Sequence, residues 1–372
     1  MLKIIEYKIY PNNTQLQRLE YILNQARLLY NSALEQRITE WKEHQKSITY
    51  YHQAKSFKGK YRIPASLTQS VLRKLDITYK AFFRRGHGFP RFKPIQRYNC
   101  IELRQYKTDG ELRKGKLHLW KMDIKIKGGQ EIVNPKQGRL IKKVDGWYWQ
   151  ITCKFPNKEK VKKIKTIIGI DVGLTSFLTD SENNKIKPPK FFRQSEKKLI
   201  KEQRILSKRK KGGYKRKQAI KQVAKIHLTI QRQRKDWLHK LSRKYANYDL
   251  VAIEKLKIRN MLRNRHLSKS ISDASWGIFF NYLRYKVEYT GSYLIEVEPK
   301  YTSQICSQCG AYIQKSLSVR THICSECGFI ADRDWNASLN VLRAGIVLAG
   351  EMGLLISLKA EAVGSPLGSH RL

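Results

Sequence analysis

Acidic side chains are scarce in this sequence: 30 Asp and Glu stand against 75 Lys and Arg in 372 residues, a formal charge of +45. Such a chain repels itself unless a polyanion or salt neutralises it. Nucleic acid is the polyanion that fits best, with released counterions driving association. Long apolar runs are lacking too. The longest, such as 346–358, are broken by Gly and Glu, which excludes a membrane-spanning helix. The start, MLKIIEYKIYP, has no signal-peptide run, so the expected location is the cytoplasm, at the nucleoid of a prokaryotic-type cell. No Gly-x₄-Gly-Lys-Ser/Thr loop occurs, which argues against an ATP-driven motor. Neither a Cys₂His₂ finger nor a convincing helix-turn-helix is legible, so no dedicated major-groove reader stands out. Cysteines number only six. Four are clustered, and Cys100 and Cys153 stand alone, which in a reducing compartment reads as a metal site plus two core residues.

What is present supports a folded, multidomain chain, since hydrophobic residues make up 41% and the length suits two or three domains. Ile5, Tyr7 and Ile9 alternate with polar residues, a strand signal that Pro11 and Asn12 end. Leu16, Leu19, Leu23, Ala26, Tyr30, Ala33, Arg37 and Trp41 then keep helical spacing. A second helix is expected over about 64–83, with Leu67, Val71, Leu75 and Tyr79 on one face and Ser66, Gln69, Ser70 and Arg73 on the other. Short strands follow over 101–106, 116–126, 139–144 and 147–155, with Asp145-Gly146 as a hairpin turn. Residues 1–12 and 95–157 therefore read as one small β-barrel, with a helical domain, 13–94, inserted between its strands. Trp147, Tyr148 and Trp149 fit core packing better than base stacking.

The lysine-rich run 158–165 reads as a linker. Residues 193–244 carry twenty Lys/Arg and three acids, net +17, and Gly212-Gly213 divides them into a basic helical hairpin. His227 falls on the apolar side of its helix and reads as structural. Residues 345–372 hold no convincing pattern and read as a disordered tail.

Against the basic background, three acids stand at ordered places. Thr166-Ile-Ile-Gly-Ile170 is a buried-strand pattern ending at Asp171, and Leu250-Val-Ala-Ile253 is another ending at Glu254. Asp334 opens a late helix in Asp332-Arg-Asp-Trp-Asn-Ala337. Taken singly, Asp171 could be a turn residue and Asp334 a helix cap. Together they are what two-metal phosphodiester hydrolysis needs: carboxylates that hold two Mg²⁺ roughly 3.5–4 Å apart. Mg²⁺ keeps several waters, so three acids suffice.

Cys306-x₂-Cys309-x₁₄-Cys324-x₂-Cys327 is a paired-knuckle arrangement. Each pair presents two thiolates, and two pairs complete one tetrahedral, structural Zn²⁺ site. A redox dithiol needs only one pair. Gly310 and Gly328 follow the pairs, where a knuckle requires positive φ. Folding this element just before Asp334 should help place that acid.

Gly169-Ile-Asp-Val-Gly173, Val251-Ala-Ile-Glu-Lys-Leu256 and Asp332-Arg-Asp-Trp-Asn-Ala337 resemble the three RuvC motifs of the TnpB family. That family comprises transposon-encoded, RNA-guided DNA endonucleases related to type V CRISPR effectors. The likeness extends along nearly the whole chain. Tyr10-Pro11 with Gln15, Tyr30-Asn31, Phe82-Phe83-Arg84 and Phe89-Pro-Arg-Phe-Lys93 are similar to its N-terminal half. His239-Lys-Leu-Ser242, Asp273-Ala-Ser-Trp276 and Tyr301-Thr-Ser-Gln-Ile-Cys306 are similar to its nuclease half. The resemblance implies an RNase H-like (RuvC) α/β nuclease domain over 166–300 and 328–344, with a zinc ribbon inserted at 301–327, behind a wedge-like barrel. It also implies that Asp171, Glu254 and Asp334 are the catalytic acids, Asp334 being preferred to Asp332 because it precedes Asn336-Ala337.

The activity so implied is RNA-guided cleavage of double-stranded DNA beside a short motif, with a guide RNA from a transposon end or a CRISPR-like locus. Gln69 and Arg73, on the polar face of the second helix, are the candidates to read that motif, since Arg pairs with guanine edges and Gln with adenine. Two other readings compete. An unguided nuclease or transposase accessory protein is one, although cut-and-paste transposases order their acids Asp, Asp, Glu rather than Asp, Glu, Asp. A nucleic-acid-binding regulator without cleavage is the other, against which three intact acids speak.

Overall fold

The computed structural model describes residues 1–128, 132–316 and 319–357. They form two compact units, Leu2–Phe155 and, with Met1, the chain from Pro156 onward.

The first unit opens with β1 (Leu2–Tyr10), whose Ile5, Tyr7 and Ile9 are buried while Leu2 and Ile4 face solvent. Asn12 then starts helix α1 (Asn13–His44) with a reciprocal capping box: its side chain accepts from Gln15 N at 2.8 Å, and its own N–H donates to Gln15 Oε1 at 3.0 Å. Helices α2 (Tyr50–Ser56) and α3 (Ala65–Arg85) complete the insert. One polar knot ties the three. Buried Arg37 pairs with Asp76 at 3.0 Å and donates to Gln53 at 2.7 Å, and fully buried Gln53 donates to Ala33 O at 2.7 Å. A buried guanidinium is tolerable only with such partners. Asn31 explains why Tyr30-Asn31 and Phe89–Lys93 occur together. Its amide takes the N–H of Lys93 at 2.8 Å and binds its carbonyl at 3.1 Å, strapping that loop to α1.

The sheet continues through β2 (Cys100–Leu103), β3 (Gly110–Arg113), β4 (Lys116–Leu119), β5 (Met122–Lys127), β6 (Pro135–Lys143) and β7 (Gly146–Lys154). The order is β2-β6-β7-β1-β5-β4-β3, all antiparallel. β1 sits inside it, paired with β7 from Leu2↔Lys154 to Ile9↔Trp147, so the helices are an insertion between strands of one sheet. The expected barrel is corrected in one respect. Among the described residues, hydrogen bonds do not close it: β2 and β3 are edges of a curled sheet. Trp149, fully buried on β7, is the centre of the curl. A Cβ on Gly138 would lie 2.2 Å from its ring, and one on Gly110, on edge strand β3, 3.0 Å from it. Trp147 and Tyr148 are buried as well, which is the core packing expected of them. The single strand expected over 116–126 is two, because Trp120 and Lys121 both adopt positive φ (49° and 63°). They make a tight hairpin without the Gly or Asn that usually announces one. Ser70, expected on the polar face of α3, is buried.

The second unit is built on β8 (Lys163–Ile164), β9 (Ile167–Asp171), β10 (Leu178–Asp180), β11 (Lys185–Ile186), β12 (Leu250–Glu254), β13 (Tyr293–Val297), β14 (Thr321–Ile323), β15 (Ile330–Asp332) and β16 (Leu355–Ile356). Its helices are α4 (Phe191–Ser207), α5 (Tyr214–Tyr245), α6 (Ile258–Met261), α7 (Ser268–Ala274), α8 (Trp276–Thr290) and α9 (Arg333–Glu351). The main sheet has the order β11-β10-β9-β12-β13, with β9, β12 and β13 parallel and the other two antiparallel. α4 and α5 form the basic hairpin, broken at Gly212-Gly213 as the sequence suggests. Ile226 and Ile230 are buried there, whereas His227 is exposed. His227 therefore lies off the buried stripe, which runs through Ala219, Ile226, Ile230, Leu238, Leu241 and Tyr245.

Two boundaries shift. The start of the tail expected from 345 is instead ordered structure, because α9 continues to Glu351 and β16 pairs in parallel with β8, inside the supposed linker. Residues 358–372 lie outside the described residues. The helix hides its continuation behind small residues. Gly345 approaches Ala252 so closely that a Cβ there would stand 2.5 Å from the alanine methyl, and a Cβ on Gly169 would stand 2.3 Å from Ser338 O. Among the described residues, no helix is long and apolar enough to cross a membrane.

This packing generates a test. Gly169→Ala forces a methyl against α9 backbone and should cost roughly 1–3 kcal/mol by overpacking. Gly88→Ala, with nothing within 4 Å of the new methyl, should stay within about 0.5 kcal/mol of the parent. Denaturant midpoints of the two variants decide it; equal midpoints would mean that the contact yields.

Candidate functional site

β9 and β12 lie side by side in register, Leu250↔Ile167 through Ile253↔Ile170, so Asp171 and Glu254 emerge at adjacent carboxyl ends. The third acid arrives from the other direction. β15 runs into α9, and Asp334 in the helix's first turn comes back to the loop after Asp171, where its Oδ2 lies 3.9 Å from a Cβ built on Gly173. The structure thus brings Asp171, Glu254 and Asp334 to one place. Asp332 is engaged otherwise. It caps α9 by accepting from the N–H groups of Asp334 at 3.0 Å and Trp335 at 3.2 Å, and it pairs with Lys185 at 2.7 Å. Burial pushes its carboxyl up, but Lys185 and those N–H groups prevail and hold it below the ordinary carboxylate range.

The cluster is electrostatically frustrated. Burial, then Glu254, then Asp334 hold the Asp171 carboxyl well above the usual range, with Arg333 opposing them. Burial raises Glu254 too, against a hydroxyl hydrogen bond from Thr302 at 2.6 Å. Arg333 binds Asp334 Oδ1 through Nε at 3.2 Å and a terminal nitrogen at 3.1 Å, and Arg320 reaches the same oxygen at 4.0 Å. With Asp334 so engaged, the three carboxylates do not converge on a single ion's reach. Among the described residues, only the four cysteines bring all their ligand atoms within 4.8 Å of one another. The donor set nevertheless fits Mg²⁺: hard carboxylate oxygens, with Asp171 and Glu254 both held above the ordinary range by burial and Asp171 also by its acidic neighbours.

Cys306, Cys309, Cys324 and Cys327 could hold a zinc ion. Cys306 Sγ lies 3.7 Å from Cys327 Sγ, and Cys309 Sγ lies 3.5 Å from Cys324 Sγ. A tetrahedral Zn–S₄ site, with bonds near 2.3 Å, separates its sulfurs by roughly 3.8 Å. The two knuckles are built alike. Cys306 N donates to Ala311 O and Gly310 N to Cys306 O; Cys324 N donates to Phe329 O and Gly328 N to Cys324 O. Gly310 and Gly328 take φ of 83° and 71°, the positive values expected there.

Helix α9 clamps the first knuckle with side chains one helical turn apart. Buried Asn336 accepts from Ser307 N at 2.9 Å and donates to Ile305 O at 2.8 Å. Asn340 donates to Thr302 O at 2.8 Å and Ile305 O at 2.7 Å, and Arg343 donates to Ser307 O at 2.5 Å. A cavity of about 310 Å³ opens beside the Asp171 loop, walled by Leu174, Phe177, Arg193, Arg234, Trp237 and Asp273 among others.

Gln69 and Arg73 belong to the other unit, both on α3, with the Arg73 guanidinium 5.1 Å over the Tyr50 ring. Four residues at the carboxylates escape sequence reasoning: Thr302, Arg320, Arg333 and Lys185. Thr302 and Arg333 lie inside quoted motifs, yet one residue between acids or before cysteines carries no spacing signal. Arg320 and Lys185 are two basic residues among 75 and have no signal at all.

Comparison with known proteins places this architecture. A family model described as "Probable transposase" matches residues 150–265, which hold Asp171 and Glu254. One described as "Cas12f1-like, TNB domain" matches 276–341, which hold the four cysteines and Asp334. A third, described as "Helix-turn-helix domain", matches 1–46, although these residues fold here as β1 and the single uninterrupted helix α1. A protein of Streptomyces pristinaespiralis named "Putative RNA-guided DNA endonuclease" is 30% identical over 364 residues, 92% of this chain and 89% of that protein. The chain belongs to the TnpB family. A "TnpB-like protein" of Acanthamoeba polyphaga mimivirus is 28% identical over 51% of this chain and 39% of that protein. In fold, the chain resembles the Cas12f1 protein of a Cas12f1-sgRNA-target DNA complex, with a TM-score of 0.59, 15% identity and coverage of 89% and 83% of the two chains.

Two outcomes follow for members of this family built as this one is. Cys306→Ser or Cys324→Ser should lose about one Zn²⁺ per chain and loosen the ribbon; elemental analysis finding no zinc in fresh wild-type protein would contradict the site. Asp332→Ala should lower stability by about 0.5–2 kcal/mol through the lost cap, read from the unfolding midpoint.

Proposed function

We propose that this chain is an RNA-guided DNA endonuclease that hydrolyses double-stranded DNA beside a short flanking motif, using Asp171, Glu254 and Asp334 as its catalytic acids. The observation that carries this is the meeting of three carboxylates, from two parallel strands and a helix start, inside a chain of net charge +45. The names of the Streptomyces relative and of the Cas12f1-sgRNA-target DNA complex point the same way.

Two Mg²⁺ held by these acids would supply an activated water and stabilise the leaving oxygen. The chain's own residues do the rest. Burial of both groups, and the Glu254 and Asp334 charges beside Asp171, keep Asp171 and Glu254 poised for a cation rather than for solvent. Arg333 and Arg320, both beside Asp334, offer guanidinium N–H groups to a phosphate, a role suited to their fork geometry. The α4–α5 hairpin, within the net +17 run 193–244, offers a backbone-binding surface for RNA and DNA. Rings and cations together line the cavity beside Leu174, a combination that suits an unpaired strand. The guide RNA comes from a transposon end or a CRISPR-like locus, and pairing with it chooses the cut site. Gln69 and Arg73 read the flanking motif. The Tyr50 ring, 5.1 Å from the Arg73 guanidinium, holds that side chain on the exposed face of α3.

Asp171→Ala, Glu254→Ala or Asp334→Ala should each remove Mg²⁺-dependent cleavage while RNA and DNA binding survives. Asp332→Ala should retain cleavage; an inactive Asp332→Ala beside an active Asp334→Ala would reverse the choice of acid. Arg73→Ala should relax motif preference, at roughly 1–3 kcal/mol, in cleavage of a library with randomised flanks. Guidance itself is tested with plasmids. Protein supplied with its co-purifying RNA should cut the matching plasmid, and RNA with a rewritten terminal segment should redirect the cut beside the same motif. Equal cutting of both plasmids, or cutting without RNA, would favour the unguided reading.

A further inference from the structure

Thr302 joins the first zinc knuckle to the carboxylate cluster. Its hydroxyl donates to Glu254 Oε1 at 2.6 Å; its other acceptor in reach, Pro299 O, is 3.5 Å away. An O–H···O⁻ contact of this length is charge-assisted, about twice as strong as a neutral one. Glu254 is only 8% exposed, and its second oxygen makes no hydrogen bond among the described residues. The hydroxyl therefore fixes one carboxylate oxygen and leaves the other for the cluster.

Thr302 is itself held. Tyr301 before it takes a φ of 63°, and the turn closes through Gln304 N and Ile305 N on Tyr301 O at 2.9 and 3.0 Å. Asn340 grips Thr302 O and Ile305 O at once. A hydroxyl on a freely turning loop would add little. One on a loop nailed to α9, the helix that also carries Asp334, sets two acids relative to each other.

We infer that Thr302 is a positioning residue: its hydroxyl holds Glu254 in the orientation that binds a divalent cation, and the first knuckle serves to deliver it. The inference rests on the metal-holding role proposed for Glu254. Outer partners of ligating carboxylates typically change metal affinity or activity 10–100-fold when removed.

The test uses the full chain freed of nucleic acid, with Mn²⁺ as probe. Free Mn²⁺ is followed by electron paramagnetic resonance, and zinc content is measured on the same samples. Thr302→Val should weaken Mn²⁺ binding roughly 10–100-fold while keeping its zinc. Thr302→Ser, which retains the hydroxyl, should stay close to wild type. Should Thr302→Val lose zinc, Ser against Ala at this position isolates the oxygen, and the same difference is expected. Wild-type binding by Thr302→Val, or Thr302→Ser as weak as Thr302→Val, overturns the inference while leaving Glu254's role intact. Glu254→Gln should abolish the Mn²⁺ site; binding unchanged in that variant would overturn the underlying reading instead.

Discussion

Helix α9 approaches β9 and β12 most closely at two glycines, Gly169 on β9 and Gly345 on the helix. Gly169 leaves room for the Ser338 carbonyl, and Gly345 for the Ala252 methyl, at separations where a Cβ could not stand. Everything at the site depends on that closeness. The two strands end at Asp171 and Glu254, and the helix starts at Arg333 with Asp334 in its first turn. A thicker interface would move Asp334 away from the strand ends by the width of a side chain. The same helix holds the first knuckle through Asn336, Asn340 and Arg343, so its depth also sets where that cysteine pair lies.

The electrostatic design concentrates what the rest of the chain avoids. With 30 acids among 372 residues, three are placed together, Glu254 buried and Asp171 and Asp334 partly buried. Elsewhere, several acids are matched with bases, as in the Arg37–Asp76 and Arg234–Asp273 pairs, and fully buried Asp180 is met by Tyr245, Asn184 and backbone N–H groups. At the strand ends two arginines, Arg333 and Arg320, face only one of the three carboxylates, Asp334. Arg333 engages Asp334 from the neighbouring position in sequence, and Asp171 and Glu254 have no basic partner at hydrogen-bond distance among the described residues. Burial, and for Asp171 the neighbouring carboxylates as well, hold Asp171 and Glu254 above the ordinary carboxylate range, a cost that a bound cation would relieve.

How much of this was legible follows from the kind of signal each part carries. Buried parallel strands announce themselves as short apolar runs, so Asp171 and Glu254 could be read from Ile167–Ile170 and Leu250–Ile253. Cysteine spacing is as direct. The end of α9 was not legible because Gly345 and Gly350 look like breakers, whereas the structure uses Gly345 for contact. The hairpin at Trp120-Lys121 was hidden for the opposite reason: side chains with no turn preference carry its positive φ. The open edges of the curled sheet were not legible either, since alternation marks strands but not whether the last edge finds the first. Thr302 and Arg320 act through distance in space, and no periodicity records that.

The central claim is that the three acids form one metal-holding site, although Asp334 rests on Arg333. Anomalous diffraction from crystals grown with Mn²⁺ tests it most directly. The account predicts density for two ions at the ends of β9 and β12, ligated by Asp171, Glu254 and Asp334, with Asp334 released from Arg333 and Asp332 still capping α9. Mn²⁺ bound through Asp332, or no ion at these carboxylates while the Arg333–Asp334 pair stays closed, would contradict it.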